Sequence, residues 1–413
     1  MDFFTNKHDW LYCDGVSLNE LAKTFGTPLY VYSEESIRKK CGRFLKAFSS
    51  YPTKVCYAVK ANDNLTLLRT IFQTGLGADV VSGGELERAL KAGVSLDKLV
   101  FSGVGKTQFE IERAIELGIA SINVESENEL ELIKKISETK KKKVSVSLRA
   151  NPNIDVKTNP YIATGLYETK FGIADEAIEH ASERIHGHPF VKLEGVACHI
   201  GSQITELGSF EQAANRIKEI AYRLKEKGFP IRRIDLGGGL GISYKPNESV
   251  PSIESYAEAI IKVFKSTDFE LFLEPGRAII GSAGGLLTRI LFTKQNRKRH
   301  FTIVDAAMND LIRPSLYDAY HEIVPVKSKS GDPVISDIVG PICETGDFLG
   351  LGRTLPSPES GELLFIKNAG AYGATMSSNY NTRGRCAEVM VLGDQVQLIR
   401  RRETLEEQWQ QEM

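Results

Sequence analysis

Between about residues 55 and 280, short apolar, β-branched runs alternate with longer stretches in which apolar residues recur every three or four positions. The short runs are VCYAVKA from Val55, ADVVS from Ala78, KLVFSG from Lys98, SINVES from Ser121, VSVSLRANP from Val144, LEGVACHIGSQ from Leu193, RRIDLGGG from Arg232 and LFLEPGR from Leu271. They are predicted to be buried strands. The stretches GELERALKAG, EIERAIELG, ENELELIKKIS and FEQAANRIKEIAYRLKEKG set apolar stripes against Glu, Lys and Arg faces, as amphipathic helices do. Eight strands, each followed by a helix, predict an α/β fold, a (β/α)8 TIM-like barrel over residues 34–278. The alternative, an open doubly wound sheet, accounts less well for the strand count and span. After Arg277 the segments HFTIVDAAM, DPVISDIVG, GELLFIKNAG and CAEVMVLGDQVQLIRR read as strands with few helices between them. Residues 279–413 are therefore read as a mainly β domain, joined by residues 1–33, which include the strand-like PLYVYS. The Gln/Glu-rich tail after Glu403 is expected to be a frayed helix or disordered.

Composition narrows the function. The 52 basic and 53 acidic side chains leave a formal net charge of −1 across 413 residues. That balance offers no electrostatic reason to bind nucleic acid or an anionic membrane, and a small polar substrate fits better. The first ten residues, MDFFTNKHDW, have no basic stretch leading into an apolar run, so no secretory signal is read. Nor do about 18 apolar residues run together, so no membrane span is expected. Cys13, Cys41, Cys56, Cys198, Cys343 and Cys386 are scattered without a C-x-x-C pair, which predicts reduced thiols, no zinc or other metal site and a cytoplasmic location.

The chemically distinctive residues fall just after the apolar cores of strands, where a barrel builds its active site. Lys60, in YAVKAN, can be desolvated to an amine nucleophile for an aldehyde, or can be a strand-end lysine reaching solvent. DLGGGLGI at 235–242 carries consecutive glycines, as in a backbone cradle for phosphate or a flexible tight turn. It matches neither the dinucleotide fingerprint nor a P-loop. EPGR at 274–277 sets Glu274 and Arg277 around a Pro-Gly turn, able to hold a ligand or to form a surface ion pair. His199, in CHIGSQ, is either a structural group or a flat surface for a cofactor ring. Cys343, in GPICETGDF, lies beside acids, a setting that suits a proton donor better than a thiolate nucleophile.

Taken together, these motifs resemble the barrel-type pyridoxal-phosphate decarboxylases, the family that includes ornithine and diaminopimelate decarboxylases. The resemblance runs from FGTPLYVY (25–32) to GAYG (370–373). It implies a barrel with pyridoxal 5'-phosphate at its mouth, a C-terminal β domain, and a homodimer whose active sites are shared between subunits. Lys60 resembles the lysine that holds the cofactor's aldehyde, and Glu274 the carboxylate at its pyridine nitrogen. His199 resembles the histidine stacked on the ring. Gly239, Gly276 and Arg277, with Ser202, resemble the phosphate cradle, and Tyr372 the tyrosine near phosphate and substrate. Asp79 is expected behind the lysine.

RPSLYDAYH (313–321) and CET (343–345) point to the diaminopimelate branch. The resemblance implies decarboxylation of meso-2,6-diaminopimelate at its D-centre, giving L-lysine and CO2. Arg313 and Tyr317, with Arg277, would hold the substrate's far end. Glu344 of the partner subunit would meet the distal ammonium, and Cys343 of the partner subunit would reprotonate the α-carbon. Lys170 and Asp347 resemble a cross-subunit ion pair that places the Cys343 loop. RPSLY and CET stand where the family more often has RPALY and CES, which touches only fine substrate preference. The rival readings are a decarboxylase of D-ornithine, D-lysine or another amino acid, an alanine racemase, and a binding protein that has lost the chemistry.

Overall fold

The structure, a computed structural model, describes residues 3–155, 164–165, 169–297 and 299–412. The chain forms two compact units. One comprises Lys40–Ile242 and Ser249–Ala278, the other Met1–Lys39, Ser243–Glu248 and Ile279–Met413.

In the first unit eight strands form the barrel: β1 (Thr53–Ala58), β2 (Gly77–Val80), β3 (Leu99–Phe101), β4 (Ser121–Val124), β5 (Val144–Asn151), β6 (Val191–Ala197), β7 (Arg233–Asp235) and β8 (Glu270–Leu273), with the two-residue strand Ile173–Ala174 added beside β5. Each barrel strand pairs in parallel with the next, and β8 returns to β1, so the sheet closes without an edge. The eight predicted strands are the eight barrel strands.

Polar residues at the strand ends start helices as well as lining the mouth. Ser82 caps Gly83–Lys91 by accepting the Glu85 N–H, and Asn64 and Ser126 cap Leu65–Phe72 and Glu127–Lys140 in the same way. Each cap satisfies a backbone donor that has no partner within its helix.

Because side chains alternate across a strand, residues two apart share a face. Cys56, Val100 and Phe272 pack together as an apolar plug. Two residues further along the same strands or just past them come Ala58, Ser102 and Glu274. Asp79, Ser102, Asn123, Asp235 and Glu274 are buried polar residues at the carboxyl ends of the strands, Asp79 and Asp235 in register with Val100 and Phe272 of the plug.

The second unit is β-rich. Its central sheet runs Phe348–Pro356, Pro333–Val339, Arg299–Val304, Gly284–Asn296, Leu29–Ser33, Ala387–Leu392 and Gln395–Arg400, and Leu363–Ile366 also pairs with Gly284–Asn296. Leu29–Ser33, the predicted PLYVYS strand, is wholly buried between Gly284–Asn296 and Ala387–Leu392. Phe4–Lys7, Trp10–Cys13 and Val16–Ser17 form a separate three-stranded sheet. The tail contains a short helix, Leu405–Trp409, closed by a capping box between Thr404 and Glu407.

Among the described residues no helix is long and apolar enough to cross a membrane.

Candidate active site

Lys60 stands in a 3-10 turn, Val59–Ala61, directly after β1. Its Nζ donates to Asp79 Oδ2 at 3.1 Å, with the Asp79 side chain fully buried and that of Lys60 34% exposed. The amine faces a cavity of about 380 Å³ whose walls include Ser102, Asn123, Arg149, His199 and Glu274. The amine and the carboxyl therefore share one cavity, although they lie far apart in the chain.

Glu274 follows β8 and is buried. Ser102 Oγ donates to its Oε1 at 3.3 Å. Burial, reinforced by the nearby carboxyls of Asp235 and Asp79, pushes its pKa well above the usual carboxylate range, while Lys60 pulls the other way. Arg149 is turned to Glu125, 2.5 Å from its Nη1, and lies over the Phe171 ring. Glu125 also accepts the Gly103 and Gly172 N–H groups, so one carboxylate ties together two loops of the cavity wall.

The glycine run is required by packing. A Cβ on Gly238 would collide with the Glu274 carbonyl oxygen, and one on Gly239 would stand 2.5 Å from the Gly201 carbonyl. Gly237 (φ 65°) and Gly239 (φ 109°) occupy backbone conformations that L side chains rarely adopt. Gly238 N–H donates to His199 Nδ1 at 3.1 Å, which makes Nδ1 an acceptor. Burial, with the charges of Lys60 and Arg149, drives the His199 pKa well below its ordinary value, so the ring is neutral. A Cβ on Gly276 would approach Ala61 Cβ to 2.9 Å, so the turn after Glu274 packs directly on the Lys60 turn. Buried Arg277 donates through Nη2 to Ser202 Oγ at 2.9 Å.

The second unit carries the other expected site residues. Arg313 opens the short helix Arg313–Tyr317 and is buried. Its Nη1 donates to Tyr244 Oη at 3.0 Å and lies 2.9 Å from His321 Nε2. His321 Nδ1 is 2.9 Å from the Lys367 carbonyl. That carbonyl requires Nδ1–H, leaving Nε2 to accept from the arginine. Tyr317 is half-buried at the helix end, and Tyr372 is held at φ 56°. Cys343 and Glu344 are exposed. Their turn is anchored by buried Asp347, whose carboxylate takes the Met308 and Ile342 N–H groups at 2.7 Å each. Asp347, expected as half of a cross-subunit pair with Lys170, is thus already engaged in shaping its own loop. Asn381 accepts the Cys343 N–H at 3.1 Å, and Tyr380 Oη donates to Glu344.

Residues 34–281 match the model of the pyridoxal-dependent decarboxylase family's pyridoxal binding domain. The diaminopimelate decarboxylase of Neisseria meningitidis is 49% identical over 407 residues, covering 98% of this chain and 99% of that protein. The diaminopimelate decarboxylase of Aquifex aeolicus is 46% identical over 397 residues, 95% and 93% of the two chains. The chain belongs to the diaminopimelate decarboxylase family. Among solved structures, the family enzyme of Helicobacter pylori in complex with L-lysine has a TM-score of 0.92 at 40% identity, with 96% of this chain and 99% of that one covered. The M. jannaschii enzyme, also with L-lysine, has a TM-score of 0.95 at 38% identity over 100% and 98%.

The cavity fits the pyridoxal group that the family binds. It offers an amine, a carboxyl and a neutral imidazole, and a glycine cradle without room for side chains lies beside it. Of the expected residues, Lys60, His199 and Glu274 line that cavity, and Asp79 pairs with Lys60 directly. Sequence reasoning did not assign roles to Arg149, Ser102, Asn123 or Asp235. Only the alternation of side chains along each strand hinted that their polar groups would point inward.

Proposed function

We propose that this chain decarboxylates meso-2,6-diaminopimelate at its D-centre, yielding L-lysine and CO2, with pyridoxal 5'-phosphate held on Lys60. The observation that carries the reading is the placement of Lys60 and Glu274 in one cavity. When bound, pyridoxal phosphate supplies an electron sink for the pair left on the α-carbon when CO2 departs.

The protein's own part follows from its residues. Asp79, buried against Lys60, keeps the amine aimed at the cavity. Glu274, in the same cavity, would accept a hydrogen bond from the pyridine nitrogen. The neutral His199 ring provides a flat, uncharged wall. Gly239, Gly276, Arg277 and Ser202 would hold the phosphate, with Tyr372 near the phosphate and the substrate. Arg313 and Tyr317, with Arg277, bind the distal carboxylate, which diaminopimelate has and ornithine lacks. Offering ornithine would leave a buried guanidinium without its anion, so discrimination is expected to be strong.

The reading includes a homodimer with shared active sites. Cys343 of the partner subunit returns the proton to the α-carbon, and Glu344 of the partner subunit meets the distal ammonium. The exposure of both residues on a turn anchored by Asp347 supports this. In this reading residues 34–278 bind the cofactor, and residues 1–33 and 279–413 complete the site and form the dimer interface. The enzyme is placed in the cytoplasm on the sequence features above.

The test is incubation of the full chain with pyridoxal phosphate and meso-diaminopimelate, with D-ornithine and D-lysine in parallel. Equimolar lysine and CO2 from diaminopimelate alone is expected. Racemisation without CO2, or faster turnover of the other amino acids, would overturn the reading.

A further inference from the structure

Asp235 is a buried carboxyl beside the cavity that the mechanism above leaves unused. The last residue of β7, it is 1% exposed and points into the barrel among the buried polar residues at the strand ends. Its Oδ1 accepts the Gly237 N–H at 2.9 Å, and its Oδ2 accepts Asn123 Nδ2 at 3.0 Å. The Glu274 carboxyl lies close enough to act on it electrostatically: beyond burial, which raises both pKa values, Asp235 raises that of Glu274 and Glu274 lowers that of Asp235. Asn123 Nδ2 reaches Ser102 Oγ at 3.1 Å, and Ser102 in turn donates to Glu274. The two carboxyls are thus linked through an amide and a hydroxyl.

A hydrogen bond between two carboxyl groups requires a proton, since ionised carboxylates only accept. Two buried carboxylates in contact cannot both ionise cheaply, and such pairs commonly hold one proton between them. We propose that Asp235 is a positioning residue for Glu274, and that the two share one proton, so that the pair presents a single negative charge to the cavity. With Asp235 holding the proton against one Glu274 oxygen, the other oxygen is left as an acceptor aimed at the ligand. The backbone adds to this restraint: Glu274 N–H donates to the Gly237 carbonyl at 2.7 Å, linking the β8 end to the turn that Asp235 caps.

Other charges around the pair do not supply the proton's role. Lys60 is engaged by Asp79, and Arg149 by Glu125. His199 accepts from Gly238 and is neutral, and the buried Cys56 thiol on β1 is pushed up by burial and then by these same acids, so it stays protonated. Burial raises both members of the pair. The sign follows: a proton held more tightly in the folded chain stabilises it at low pH, and that stability is lost as pH rises through the pair's raised range.

The part of this inference that concerns pyridoxal phosphate rests on the function proposed above; the shared proton does not. The test therefore uses the full chain in cofactor-free and loaded forms. In the cofactor-free form, the unfolding constant is followed against pH. One linked proton contributes about a tenfold change per pH unit across its window. Asp235→Asn and Glu274→Gln should each remove that component, and the double variant should remove nothing more. Asn123→Ala, which deprives Asp235 of one of its two N–H donors, should move the window to higher pH. A wild-type slope in Asp235→Asn, or an unmoved window in Asn123→Ala, overturns the shared proton.

In the loaded form, Asp235→Ala should weaken pyridoxal phosphate binding by about tenfold or more, since Glu274 loses the proton donor opposite Ser102. Asp235→Asn should recover most of that affinity, because its amide can donate an N–H to Glu274 in place of the proton. Equal affinity in Asp235→Ala and wild type overturns the positioning role. A wild-type chain that binds no pyridoxal phosphate, with the proton count intact, would instead fault the proposed function.

Discussion

Lys60 and Asp79 form an ion pair in which the two partners see different surroundings: the carboxylate is fully buried, whereas a third of the lysine side chain is open to the cavity. The carboxylate's other oxygen, Oδ1, has no hydrogen-bond partner among the described residues. Asp79 therefore depends on the amine more than the amine depends on it.

Lys60→Ala should accordingly do two separable things. It should abolish the visible absorbance of bound pyridoxal phosphate. It should also destabilise the cofactor-free chain by about 1–3 kcal/mol, less than a fully buried pair would cost because the amine is partly solvated. Adding Asp79→Asn should restore much of the stability but none of the absorbance. Denaturant unfolding and an absorbance spectrum check both, and an unchanged spectrum in Lys60→Ala would remove the central assignment.

Gly238→Ala tests the cradle. The new methyl group would meet the Glu274 carbonyl oxygen, a backbone atom that cannot swing aside. Overpacking of this kind costs about 1–3 kcal/mol. Here it should displace the β8 end and weaken cofactor binding, with a larger fractional loss in affinity than in the unfolding midpoint. A variant with wild-type affinity would mean that the turn is not part of the cofactor site.

His199 should shape the acid limb of the stability curve. Its folded pKa is depressed below the ordinary 6.5 by burial first. The unfolded chain then binds a proton that the folded chain refuses, so stability is lost as pH falls through the ordinary value. His199→Gln should flatten the slope below that pH. The pH dependence of the unfolding midpoint measures it, and an identical slope in the variant would contradict a neutral buried ring.

Cys343→Ala and Arg313→Leu probe the second unit. Cys343→Ala should slow turnover sharply while cofactor absorbance stays unchanged; full activity would rule out proton return by this thiol. Arg313→Leu should lower kcat/KM for diaminopimelate by about 10- to 100-fold, the value of a charged hydrogen bond, and should narrow its preference over D-lysine. Equal losses on both substrates would argue against recognition of the distal carboxylate.

The barrel was legible because its information is local and repeated. The run VCYAVKA and its seven counterparts each carry the apolar density of a buried strand, and the stretches between them carry a helical stripe. Asn64, Ser82 and Ser126 add helix starts that need no distant partner. The site was partly legible as well. Lys60, His199, Glu274 and the glycines stand out because polar or flexible residues at strand ends contrast with what precedes them.

What the chain's order of residues determined by itself was the set of strands and helices, and the chemical groups placed at the barrel mouth. Tertiary structure alone decided who pairs with whom. Asp79 meets Lys60 across neighbouring strands, and Asp235 meets Glu274 across two more, because sheet closure sets register between segments that no local pattern connects. Charge states were decided there too. The neutral His199 ring and the protonated Glu274–Asp235 pair follow from removal of water and from proximity, and both exist only once the barrel is closed.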